Sequence, residues 1–193
     1  MGDAFRRFFL SIGVALGLAA GQPDPVLYAN IVNAQAEGPR AVLRVDARIE
    51  NAFEAGAIEL IETGTRIALR YRVRLEGPQG SIAEAQETRS IWYDMRTGFY
   101  RVSFAEGKAA SLVDPQAARL LAAELSGLEL KVVPGAESAV SVGPSTVVVV
   151  SAEIGILDQG GSWHDAPVLW NYSSPRAQTS AASALRAEGS GGR

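Results

Sequence analysis

Arg66-Ile67-Ala68-Leu69-Arg70-Tyr71-Arg72-Val73-Arg74-Leu75-Glu76 places an apolar side chain at every second position: Ile67, Leu69, Tyr71, Val73 and Leu75. Successive side chains of a β-strand point to opposite faces, so the run has one continuous apolar row. Its other face holds Arg66, Arg70, Arg72, Arg74 and Glu76. A helix would scatter both sets around its axis. The stretch therefore predicts an antiparallel sheet with one face on a core and the other in water.

Downstream, Gly77-Pro78-Gln79-Gly80 is turn chemistry, and the polar segment Ser81 to Thr88 has no firm period, so it is expected to be a loop or a frayed strand. A hairpin follows. Arg89 to Met95 sets Ile91, Tyr93 and Met95 on one face, Gly98 suits a turn residue of positive φ, and Phe99 to Phe104 returns with Tyr100, Val102 and Phe104 aligned. Trp92 and Phe99 fall on the opposite face, where two large aromatics predict partial cover by a helix or a partner.

Upstream, Ala41 to Ile49 alternates in the same one-sided way, and Pro25 to Ala36 is apolar but irregular, a first strand of weak register. Between these and the central strand, Asn51 and Glu54 have capping-box spacing. Phe53, Ala57, Leu60 and Ile61 share a helical face, and Gly64 is placed to end that helix. Asp114-Pro115 opens a second helix with stripe Ala118, Leu121, Ala122 and Leu125, expected to stop at Gly127. Leu128 to Val132 alternates again. Ser145 to Leu157 is the most apolar run, a strand buried on both faces or a hydrophobic sheet edge needing cover.

The ends differ in character. Arg6 and Arg7, the apolar run Phe8 to Ala20 and the small residues Ala19, Ala20 and Gly21 form the three parts of a secretory signal. The run is shorter than the about 20 residues that span a bilayer comfortably, so cleavage near Gly21 is expected. Membrane contact would require the segment to stay uncleaved. Residues 173–193 are dominated by Ser, Ala, Gly and Arg and are expected to form a flexible tail. The organisation is then a signal peptide at 1–21, a single β-rich domain at 22–172 and the tail.

Composition narrows the chemistry. With 193 residues, 47% of them hydrophobic and 20% charged, the chain can bury one sizeable core without a metal or a disulfide. It has no cysteine, which removes disulfides, thiolate catalysis and Cys-ligated zinc. A net charge of −3 and the lack of a basic run argue against nucleic acid as a partner. His164 is the sole histidine, flanked by Trp163 and Asp165, and a metal site would need ligands that no spacing here supplies, so neither metal nor cofactor is expected. Gly160-Gly161-Ser162-Trp163 does not match a nucleophile elbow. Arg70, Arg72 and Arg74, with Arg44 and Arg48 on a neighbouring strand, could make a patch for an anionic partner. The competing account is a solvated face balanced by Asp46, Glu76 and the helix glutamates.

Leu43 to Ile49, Asn51-Ala52-Phe53 through Ile58-Glu59 to Thr63-Gly64, Ile67 to Val73 and the Trp92-Tyr93-Asp94 hairpin together resemble the DUF4390 family of uncharacterised bacterial exported proteins. The likeness covers roughly residues 24 to 157 and lies in the pattern of strand, short helix, strand and hairpin. It implies export, and the family has no assigned catalytic residues to carry over.

The expected fold is α+β: a mainly antiparallel sheet of six or seven strands, as a sandwich or half-barrel, with two short helices. The expected function is non-enzymatic, an exported protein of the bacterial envelope or periplasm that binds an envelope protein or an anionic envelope component. Its binding residues would be Arg70, Arg72, Arg74, Trp92 and Phe99. The alternative is a carrier of a small ligand or lipid in an apolar cavity, and an envelope hydrolase centred on His164 and Asp165 comes third.

Overall fold

The alternation at residues 66–77 is realised as the middle of a larger sheet, with Ile67, Leu69, Tyr71, Val73 and Leu75 all buried. The computed structural model describes residues 24–37, 40–78, 80–104, 107–132, 146–170 and 175–180. In chain order the elements are β1 (Val26–Glu37), β2 (Arg40–Glu50), α1 (Ala55–Glu62), β3 (Arg66–Gly77), β4 (Gly80–Asp94), β5 (Phe99–Ser103) and β6 (Ala109–Leu112). They continue as α2 (Pro115–Ala123), β7 (Glu124–Val132), β8 (Val147–Leu157), β9 (Trp163–Asp165), a 3-10 turn at Pro167–Trp170 and β10 (Arg176–Ser180).

Among the described residues the class is α+β, mainly antiparallel sheet with two short helices. The strands form two sheets, one of three in the order β1-β2-β7 and one of seven in the order β10-β8-β3-β4-β5-β6, with β9 also on β8. The sheets pack as a sandwich. Leu43, Val45 and Leu130 of the small sheet join Leu69, Tyr71, Val73, Leu75, Val148 and Val150 of the large one in a single core. Burying each such aliphatic side chain contributes about 1.5–3 kcal/mol, and this shared core is what holds the sheets face to face. At the margins β1 lies against β8 and β10, and β7 lies against β4. The helices cover what the small sheet leaves bare, α1 on β3 and β4, α2 on β4, β5 and β6.

Several boundaries differ from expectation. Of the two readings of Ser81 to Thr88 the strand holds and the loop does not: β4 runs from Gly80, its backbone completing the ladder of β3 with one register shift at Leu75/Glu76. Asn51 does not cap α1. It adopts a left-handed backbone, φ 56°, and the cap position falls on Glu54, which makes no side-chain capping bond. Gly64 does end the helix, with φ 87° and a Schellman arrangement in which Thr65 N–H donates to Leu60 O at 2.9 Å. In α2 the cap is as expected, Asp114 Oδ1 accepting from Gln116 N–H at 2.8 Å. That helix stops at Ala123 and passes directly into β7. Gly127 instead occupies a bulge in β7 at φ 67°, donating its N–H to Asp46 Oδ1 at 2.7 Å.

Strand β8 is no sheet edge. One side pairs with β3 along its length, and the other is covered by β10 near its start and β9 near its end. Residues 176–180 of the expected tail thus belong to the sheet, which corrects that part of the reading. The expected signal peptide at 1–21 and the tail beyond 180 lie outside the described residues. No helix among the described residues is long and apolar enough to cross a membrane.

Candidate functional site

The outer face of the large sheet brings all five residues singled out in the sequence onto one surface. Register fixes this. Arg70, Arg72 and Arg74 point away from the core, and Trp92 and Phe99 stand on β4 and β5 opposite Arg101 and Asp94 on that face. The arginines do not form a bare cationic patch, because each meets a carboxylate. Arg70 is 3.5 Å from Glu153, Arg72 is 3.3 Å from Glu84 and Arg74 is 3.6 Å from Glu76. Arg44 and Arg48, expected on a neighbouring strand, belong to the small sheet and pair there with Glu129 and Glu50.

Two residues that the sequence did not mark as binding residues organise this face. Arg66 lays its guanidinium 4.5 Å from the centre of the Trp92 ring, while its Nε donates to Ser90 Oγ at 2.9 Å and its Nη2 to Ser103 Oγ at 3.1 Å. Trp163 lies 3.8 Å from the Arg70 guanidinium. It reaches that place by lying across Gly155, where an added Cβ would meet the ring at 2.5 Å and the His164 carbonyl at 2.8 Å. Arg66 was visible as a member of the alternating row. Trp163 was not, because a three-residue strand leaves no period to read.

The β4–β5 end of the sheet differs from the rest of the face. Met95 is 71% exposed, Phe99 38% and Val113 74%. Val113 follows Leu112, the partner of Tyr100, just past the end of β6. A depression of about 520 Å³ is lined here by Gly64, Trp92, Tyr93, Met95, Arg96 and Arg101, among others. Burial works against the charge of Asp94, but the Arg96 N–H, the Thr97 hydroxyl and the guanidinium groups of Arg96 and Arg101 prevail and hold its carboxyl below the usual range. The hairpin tip is therefore an ionised, internally bonded turn that presents apolar side chains.

His164 and Asp165 do not form a dyad. His164 Nε2 lies 3.4 Å from Asp158 Oδ2, whereas Asp165 Oδ1 accepts from Trp163 Nε1 at 2.6 Å. Asp158 is held below the usual carboxylate range by the Ser162 N–H first and by His164 next. Among the described residues no cluster of three His, Asp or Glu could hold a metal. The space between the sheets, where a carrier would keep its cargo, is filled in this region by Leu43, Val45, Tyr71, Leu75 and Leu130, each fully buried.

No protein-family model, no curated protein and no solved structure matches the chain.

Proposed function

We propose that this chain is an exported protein of the bacterial envelope that works as a non-enzymatic binding module, engaging a protein partner at the β4–β5 end of its large sheet. The observation that carries this is the grouping of exposed Met95 with Trp92, Arg96 and Arg101 in one depression, with exposed Phe99 on the neighbouring strand opposite Asp94. Aromatic, Met and Arg side chains are enriched in protein interfaces, and contiguous exposed apolar surface marks docking sites. The ion pairs of Arg70, Arg72 and Arg74 favour a protein over an anionic envelope component, since little positive charge is left unanswered. Export and a periplasmic location are supported by the sequence pattern at residues 6–21 and by the likeness to DUF4390.

The test is in-cell crosslinking from position 99, followed by pull-down and mass spectrometry of proteins and lipids. A defined envelope protein should be recovered, and Met95→Ser with Trp92→Ala should reduce it tenfold or more, since truncating an interface anchor costs about 2 kcal/mol or more. Equal recovery by the variant, or lipid without protein, would overturn the reading.

A further inference from the structure

A second concave site lies away from that patch, in the angle between the two helices and the end of β2. Its volume is about 450 Å³, within the range of sites for small ligands. One wall is a face of α2 on which Gln116, Arg119, Leu120 and Ala123 recur at helical spacing. Across from it stand Ile49, Ala52, Phe53 and Ile58. Leu120 is 53% exposed, so the wall has no cover from another described element at that point.

The polar groups in this groove are unequally matched. Arg48 is answered by Glu50 at 2.6 Å and lies 5.8 Å from the Tyr28 ring centre. Arg119 makes no ion pair among the described residues, and its charge acts on the Tyr100 phenol, on which Glu62 also acts. The groove therefore combines an apolar lining with one surplus guanidinium, whose planar fork of donors suits a carboxylate. Asn51, exposed and held in a left-handed backbone at φ 56°, is also part of the lining.

We infer that this groove binds a small anionic amphiphile, a carboxylate bearing a hydrocarbon chain, with its head on Arg119 and its chain against Phe53, Ile58 and Leu120. The site is separate from the partner surface and does not depend on it. Isothermal titration of the purified protein with octanoate tests the assignment, with 1-octanol as the uncharged comparison. Octanoate should bind saturably with one molecule per chain, and Arg119→Gln should weaken it tenfold or more while leaving 1-octanol binding unchanged. Arg101→Gln, at the distant patch, should leave octanoate binding intact, and circular dichroism should show all variants folded. Absence of saturable octanoate binding, or an affinity that Arg119→Gln does not alter, would overturn the inference.

Discussion

Tyr71 and Arg89 show how a polar group can be kept inside this sandwich. The chain passes from α2 into β7 with no intervening residue, which leaves carbonyls of the helix end inside the protein. Tyr71 Oη donates to Ala123 O at 2.7 Å. Arg89 Nη1 donates to Leu121 O at 3.3 Å and also to Glu124 O, while its Nε donates to Glu87 Oε1 at 2.8 Å. A cation at a helix C-terminus also opposes the helix dipole. Tyr71→Phe removes one donor and strands a buried acceptor, so it should cost about 1–3 kcal/mol in denaturant unfolding. Burial, with Glu87 and Glu124 adding and Arg89 opposing, raises the Tyr71 phenol above its ordinary value. An unfolded tyrosine loses its proton near pH about 10 while the folded one keeps it, so this contribution is intact below that pH and is lost above it. Wild-type stability should fall more steeply than that of Tyr71→Phe between about pH 9 and pH 11; parallel decline in urea titrations would show that Tyr71 is not the group responsible.

At the scale of elements, what the sequence revealed depended on length and on burial. β2, β3 and the β4–β5 hairpin are long and one-sided, and their alternation was plain. β6 (Ala109-Ala110-Ser111-Leu112), β9 and β10 are short, and their pairing is dictated by neighbours' unpaired backbone rather than by their own side chains. The polar half of β4 was hidden because Glu84, Gln86 and Thr88 face outward while Ala83 and Ala85 are too small to announce an inner face. The same limits applied to the candidate surface. Trp92 and Phe99 were legible from parity on the hairpin, but the Trp163–Arg70 stack needed β9 to be in place. That stack makes β9 testable as an element. Gly155→Ala should push Trp163 and the β9 backbone off β8, costing about 1–3 kcal/mol as overpacking does. Trp163→Ala in the same chain should restore only part of the loss, because the His164 carbonyl at 2.8 Å remains in the way. A Gly155→Ala variant with an unchanged melting temperature would mean that the Trp ring does not lie across this glycine.

For the whole molecule, one core spanning both sheets has a thermodynamic consequence. The three-stranded sheet has few means of stability by itself, since its inner face is completed by β3, β8 and the helices. Leu43 on β2 and Leu69 on β3 are both buried, 0% and 1% exposed, on opposite sides of the same interior. Leu43→Ala and Leu69→Ala should each cost about 2–5 kcal/mol, the transfer of the lost methyl groups plus the cavity they leave. Both should lower the same cooperative transition, because loosening one sheet exposes the apolar face of the other. Calorimetry together with near-ultraviolet circular dichroism checks this: coincident transitions in both variants are expected. If Leu43→Ala melted the small sheet at a lower temperature than the large one, the two sheets would be separate stability units, and the surface of the large sheet could be tested for partner binding without the small one.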